Sequence, residues 1–326
     1  MKKIFNLFFV AGIIFLGFFS GCTKKTVNNG KINVVATIFP VYDWAKNVVG
    51  DSDGINLELL VKNGVDLHSF QPSAADIIKI STADVLIFVG GESDSWIKDV
   101  LKNPANKNMI VLNLMDLLGN SVKQEEFIEG MTGEKSENSF EEKINSHSHD
   151  EVEYDEHIWL SVENAKTAAA KISEILCEKN SENAELYEKN KNSYIQQLAQ
   201  LKKFYNPQNE KTKTIIVCDR FPFRYMTDEL GIKYFAAFVG CSAETEASFE
   251  TIAFLSRKIQ ELDAQKVYVS ESSDKKIAET VIKNAGKIGK CKIEVLDSMQ
   301  SVTFEQSEKG KNYIDTMKEN YKKLSE

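Results

Sequence analysis

A chain of 326 residues, 42% hydrophobic and 27% charged, carries enough apolar material for more than one core, because single cores stop growing well short of that length. Its formal charge is −8, and removing residues 1–21, which hold Lys2 and Lys3 and no acid, would take it to −10. That balance excludes a nucleic-acid binder and suits a cationic ligand.

The first residues read as an export signal over 1–21: two lysines, an apolar run over 4–19, then Ser20 and Gly21 before Cys22. The run is short for a bilayer span. Phe19-Ser20-Gly21-Cys22 resembles the bacterial lipobox, with Phe19 where leucine is usual. Cys22 is therefore the expected lipidation site, and residues 22–31 form a polar tether. The mature chain is expected outside the cytoplasm, anchored to the cell membrane by lipid without crossing it.

An amino-terminal lobe is predicted over 32–161. Short β-branched or apolar runs at 32–37, 57–61, 85–89 and 109–113 read as strands. Helical spacing appears at 41–49, 74–81 and 95–101. From 124 to 156 the chain turns acidic and aperiodic and holds Asn145-Ser-His147-Ser-His149-Asp150, which reads as a mobile loop. Residues 162–204 are helix-forming throughout, with no Pro or Gly, and predict one connecting helix. The carboxy-terminal lobe, 212–326, repeats the alternation, with strands at 214–218, 234–238, 267–270 and 293–296 and helices at 223–230, 249–262 and 276–284.

The fold class that follows is α/β: two lobes, each with a mainly parallel sheet flanked by helices, joined by one long rigid helix. Open sheets of this kind bind ligands beyond the carboxyl ends of their strands, so the residues just after each strand are the ones to inspect.

Only four histidines occur, His68, His147, His149 and His157, and imidazole is the commonest zinc ligand. His68 follows a strand by a loop containing Gly64, and His157 stands just before the connecting helix; neither lies in an apolar stripe. Beyond Cys22 there are Cys177, Cys218, Cys241 and Cys291, without a CxxC pair or zinc-finger spacing. A disulfide, with Cys218 and Cys241 as the first pairing, and buried free thiols are both open readings. There is no HExxH, no Gly-x-Ser-x-Gly and no phosphate-binding glycine loop, which argues against an enzyme and against a catalytic cofactor.

Three segments are specific in order and spacing: Gly64-Val-Asp-Leu-His68-Ser-Phe-Gln-Pro72, Gly91-Glu-Ser-Asp-Ser-Trp96-Ile and Asp155-Glu-His157-Ile-Trp-Leu-Ser161, followed by Asn312-Tyr-Ile-Asp-Thr-Met317 and Asn320. Across nearly the whole mature chain they resemble the metal-binding solute receptors of zinc and manganese ABC importers. The resemblance implies two lobes with metal held between them, His68 and His157 as two ligands, Glu271 as an acidic third, and an ABC permease with its ATPase as partners. It also implies a histidine, or a glutamate, where this chain has Arg220, which cannot act as an ordinary ligand. The alternative is an Arg220–Glu271 ion pair, in which case His147, His149, Asp219 or a water would be needed as auxiliary donor. The loop histidines tilt the metal to Zn(II), with Mn(II) the alternative. A monomer is expected, and a surface adhesin is the rival role for a lipoprotein of this kind.

Overall fold

The computed structural model describes residues 30–132, 153–206, 213–242 and 246–325. Cys22, His147 and His149 lie outside the described residues, and with them the expected signal, the lipidation site and most of the acidic loop. From Ile32 to Glu326 the chain forms one compact unit.

The first half contains β1 (Ile32–Ala36), α1 (Phe39–Val49), β2 (Ile55–Leu59), α2 (Ala74–Thr82), β3 (Val85–Phe88), α3 (Ile97–Leu101), β4 (Ile110–Asn113) and α4 (Leu114–Leu118). All its strand pairings are parallel, in the order β2-β1-β3-β4. A parallel sheet is covered on both faces, and so β3, Val-Leu-Ile-Phe, is buried along its whole length rather than at alternate positions.

The second half contains β5 (Thr214–Phe221), α7 (Arg224–Leu230), β6 (Lys233–Val239), α8 (Phe249–Glu261), β7 (Lys266–Ser270), α9 (Lys276–Asn284), β8 (Lys292–Leu296), α10 (Phe304–Glu308) and α11 (Tyr313–Ser325). Its sheet, β6-β5-β7-β8, is also parallel and has the same topology as the first. In each sheet the strand order reverses at the first strand, β1 or β5. That reversal opens a crevice at the carboxyl ends of the strands, where loops diverge to either side.

One expectation is corrected here. Residues 162–204 are not a single helix but two, α5 (Val162–Lys179) and α6 (Ala184–Gln200), separated by a 3-10 turn at Ser181–Asn183. The break falls at Asn180-Ser181-Glu182-Asn183. Asn and Ser side chains compete with the helix for backbone groups, so such a cluster ends helices without Gly or Pro. The Asn180 amide donates to the Tyr187 hydroxyl at 3.1 Å, tying the turn to the start of α6.

The cores show how the halves are joined. One large apolar cluster runs from Val34, Trp44 and Trp159 through Leu198 to Val217, Tyr268 and Tyr313, so it draws on both sheets and on the helices between them. Two smaller clusters cover the outer faces: Val35, Leu86 and Ile97 on the first sheet, and Val269, Leu255 and Val281 on the second. Polar ties cross the same junction. Trp159 Nε1 donates to the Ser298 carbonyl at 2.8 Å, and the Tyr313 hydroxyl donates to the Trp159 carbonyl at 2.6 Å. The ends of the acidic loop are pinned too: Gln124 bridges to Tyr154, and Thr132 bridges to Phe238 in β6.

Candidate metal centre

His68 lies on a 3-10 turn, Leu67–Ser69, reached from β2. Asp66 caps this turn, its Oδ1 accepting the His68 N–H at 3.0 Å, which fixes where the ring leaves the backbone. The ring Nδ1 lies 2.7 Å from the Ser93 hydroxyl in the loop after β3. If that hydroxyl accepts, Nδ1 carries the hydrogen and Nε2 presents a lone pair.

His157 immediately precedes the 3-10 turn Ile158–Leu160 and is fully buried. Asp155 Oδ1 takes both its backbone N–H, at 2.9 Å, and its Nδ1, at 2.7 Å. This carboxylate–imidazole pair again leaves Nε2 as the free donor atom. The two Nε2 atoms stand 3.2 Å apart. Two nitrogen lone pairs at that distance repel unless a proton or a metal ion lies between them. Two nitrogens bound tetrahedrally at about 2.05 Å from zinc would be about 3.3 Å apart, so the pair is already spaced for one ion.

A third group able to ligate a metal stands beside the two rings, and sequence inspection missed it. Cys241, just beyond β6, places its Sγ so that it and one nitrogen of each of His68 and His157 all lie within 4.8 Å of one another. Its backbone N–H is held at 3.2 Å by Glu125 Oε1. The residue before it, Gly240, lies flat against His157: a Cβ there would stand 2.8 Å from the ring Cε1 and 3.0 Å from Nδ1. A search for paired cysteines passes over a lone Cys. The rule that ligands follow strand ends would have picked out Val239-Gly240-Cys241.

The electrostatics separate the two rings. His68 is held down at about 4, by burial first and then by its neighbour His157. At His157 burial works against the charge, but the Cys241 sulfur and the Asp155 carboxylate outweigh it, and its pKa rises well above the ordinary range. Burial raises the Cys241 thiol.

Acidic groups frame the pair. Glu156 Oε1 accepts the N–H groups of Glu92 and, at 3.0 Å, Ser93, so it organises the loop that holds His68. Gly91, at φ +79°, is the residue that allows this approach, because a Cβ would strike the Glu156 side chain. Glu156 Oε2 is buried with no hydrogen-bond partner among the described residues and lies 3.9 Å from His68 Nδ1. Below it, burial pushes Asp94 up to about 7 while its Oδ2 holds the N–H groups of Val89 and Gly90.

The other predicted residues are placed differently. Glu271 is not among the mutually close donors. Its carboxylate accepts from Ser298 N and Ser298 Oγ, both at 2.8 Å, and from Ser301 Oγ at 3.2 Å. Asp219 Oδ2 accepts from the backbone and hydroxyl of Ser270, at 3.0 and 2.6 Å. Arg220 does not pair with Glu271 in any recorded contact; its guanidinium meets Asp66 Oδ2 at 2.9 Å, joining the end of β5 to the turn that carries His68. The proposed Cys218–Cys241 disulfide is absent: both are free, as are Cys177 and Cys291. Cys218 points into the outer core of the second sheet, whereas Cys241 faces the histidines.

Comparison with known proteins agrees with this picture. The chain is 30% identical over its whole length to the zinc-binding lipoprotein AdcA of Streptococcus pneumoniae, and spans 61% of that protein's length. It is 28% identical to the high-affinity zinc uptake system protein ZnuA of Bacillus subtilis, covering 98% of it. The crystal structure of the Zn(II)-bound ZnuA-like domain of the pneumococcal AdcA superposes with a TM-score of 0.67 at 27% identity, over 91% of this chain and 98% of that domain. The periplasmic zinc-binding protein TroA of Treponema pallidum, at 19% identity and a TM-score of 0.69, shares the fold. The sequence model described as zinc-uptake complex component A, periplasmic, matches residues 34–326, and the chain belongs to that family of extracytoplasmic receptors, which are not enzymes.

Proposed function

We propose that this chain is the capture component of a zinc importer: it binds Zn(II) outside the membrane through His68 and His157, and hands the ion to an ABC permease driven by its ATPase. The single observation that carries the reading is the pair of imidazole Nε2 atoms at 3.2 Å, each ring oriented through its other nitrogen by Ser93 or Asp155. Structural imidazoles buried for stability would turn their free nitrogens to separate partners, not toward each other. Family membership supports import as the purpose.

Anchoring through lipid at Cys22 fits the same role, since it keeps a loaded receptor close to its permease. Among the described residues no helix is long and apolar enough to cross a membrane. The chain acts as a monomer in this reading. Manganese is the competing cargo, and adhesion a competing role.

The experiment is calorimetry of the full chain in detergent with Zn(II) and Mn(II), repeated on His68→Ala and His157→Ala. Each substitution should abolish tight zinc binding; His68→Ala should leave the melting temperature of the metal-free protein nearly unchanged, whereas His157→Ala, which empties a buried position and strips Asp155 of its imidazole partner, should lower it. A His68→Ala protein with unaltered zinc affinity would overturn the proposal.

A further inference from the structure

We propose that Cys241 is the third metal ligand, bound as a thiolate, and that the site is therefore selective for thiophilic ions of the zinc and cadmium type over manganese. This rests on the reading of His68 and His157 as a metal pair, and goes beyond it by naming the donor that sets the class of ion.

The placement is the first argument. β5 and β6 are adjacent parallel strands, with Arg220 opposite Phe238 and Phe221 opposite Val239. The chain leaving β6 at Gly240-Cys241 thus emerges beside the chain leaving β5 at Arg220. At the end of β5 stands a guanidinium, which is never a ligand at ordinary pH and is already committed to Asp66. The donor has been moved one strand across the sheet, from position 220 to position 241.

The second argument is what the alternatives are doing. The oxygens of Glu271 are engaged by Ser298 and Ser301, and those of Asp219 by Ser270 and its own neighbour's N–H. Cys241 is free of any disulfide. Among the described residues, the candidate donors that approach one another are two nitrogens and one sulfur.

Distances make the third argument. With zinc bonds of about 2.05 Å to nitrogen and 2.3 Å to sulfur, a tetrahedral site needs nitrogen–sulfur edges of about 3.6 Å. The present bound of 4.8 Å requires at most about 1.2 Å of contraction, which one loop residue can supply. A water or carboxylate oxygen completes the fourth place, and the unpartnered Glu156 Oε2 adds negative charge close behind. On binding, the Sγ–H bond gives way to the Sγ–metal bond and the proton leaves to water; nothing is oxidised or reduced. Imidazole and thiolate donors suit zinc and other soft or borderline ions, whereas manganese favours oxygen donors.

The test is optical titration of the full chain with Co(II), which reports a thiolate ligand by an intense near-ultraviolet sulfur-to-metal charge-transfer band, alongside zinc and manganese calorimetry on wild type, Cys241→Ser and Cys241→His. The wild type should show the band, and Cys241→Ser should lose it. Zinc affinity of the serine variant should drop about tenfold or more, and its preference for zinc over manganese should shrink. Cys241→His should bind zinc tightly without the band. Wild-type protein that binds zinc through His68 yet shows no charge-transfer band would overturn the role of Cys241 and leave the histidine pair standing. Absence of zinc binding in the wild type would instead remove the reading beneath both.

Discussion

Asp43 offers a prediction that can be worked to a number. It sits on α1, is 4% exposed, and accepts from Tyr313 N at 3.2 Å, Asn47 Nδ2 at 3.1 Å and the Tyr194 hydroxyl at 3.5 Å. It therefore ties α1 to α6 and to the start of α11, whose Tyr313 hydroxyl supports the turn behind His157. Burial pushes its carboxyl up to about 6, against lowering contributions from Tyr313, Lys46, Tyr194 and Asn47. An unfolded aspartate titrates near 3.9. Below that value the acid is protonated in both states. Between about pH 4 and pH 6 the unfolded chain releases its proton while the folded chain keeps it, so stability falls as pH rises, by about 3 kcal/mol in total, and no further above that window. Asp43→Asn has no such titration and keeps an oxygen for the same donors. The unfolding free energy of the variant relative to wild type should consequently grow by about 3 kcal/mol between about pH 3.5 and pH 7. Urea unfolding of the metal-free protein, followed by tryptophan fluorescence at several pH values, measures this difference. A difference that stays constant across the range would refute the assignment of a buried, proton-retaining carboxyl to this junction.

Two further substitutions probe the shell around the histidines. Asp155→Ala frees the His157 ring to take the wrong tautomer and should weaken zinc binding by about 10–100-fold, measured by competition with a chelating dye; unchanged affinity would mean that the carboxylate does not orient the ligand. Gly240→Ala puts a methyl group 2.8 Å from His157 Cε1 and 3.0 Å from the Phe221 carbonyl oxygen. Overpacking of this kind should cost about 1–3 kcal/mol of stability and displace the ring, so that melting temperature and zinc affinity fall together. Loss of stability with intact affinity would show that the strain is relieved away from the ring.

Much of the architecture could be read from the chain because it depends on local patterns. Runs such as Ile32–Ala36 and Val85–Phe88 are β-branched or wholly apolar, as buried parallel strands must be, and helical spacing between them leaves little choice of fold class. The break between α5 and α6 was also written locally, in Asn180, Ser181 and Asn183, but the absence of Gly and Pro drew attention away from it. What could not be read is pairing across long separations. Glu271 meets Ser298, 27 residues on, and Arg220 meets Asp66 across 154 residues. Nothing in the local sequence around either charge reveals that partner. Cys241 is an intermediate case: its place just after β6 was legible, but its nearness to His68 and His157 arises only from the packing of the two sheets.

The three groups proposed as ligands are held with unequal firmness, and this bears on how an ion would be taken up. His157 is completely buried and is braced from several sides: Asp155 holds the ring, Gly240 lies against it, and the next turn is tied through Trp159 to Ser298 and Tyr313. His68 retains 13% side-chain exposure on a short turn held by Asp66, Ser93 and, through Asp66, Arg220. Cys241 is likewise partly exposed, on a strand-end loop. Because one apolar core runs through both sheets, large rotation of one half against the other would expose that core and is disfavoured. The adjustment needed to bring sulfur and nitrogen to bonding distance is at most about 1.2 Å, a scale that side chains and loop ends can meet. On the proposed three-ligand reading, His157 is the fixed point of the site, and His68 and Cys241 are the residues expected to adjust to the ion.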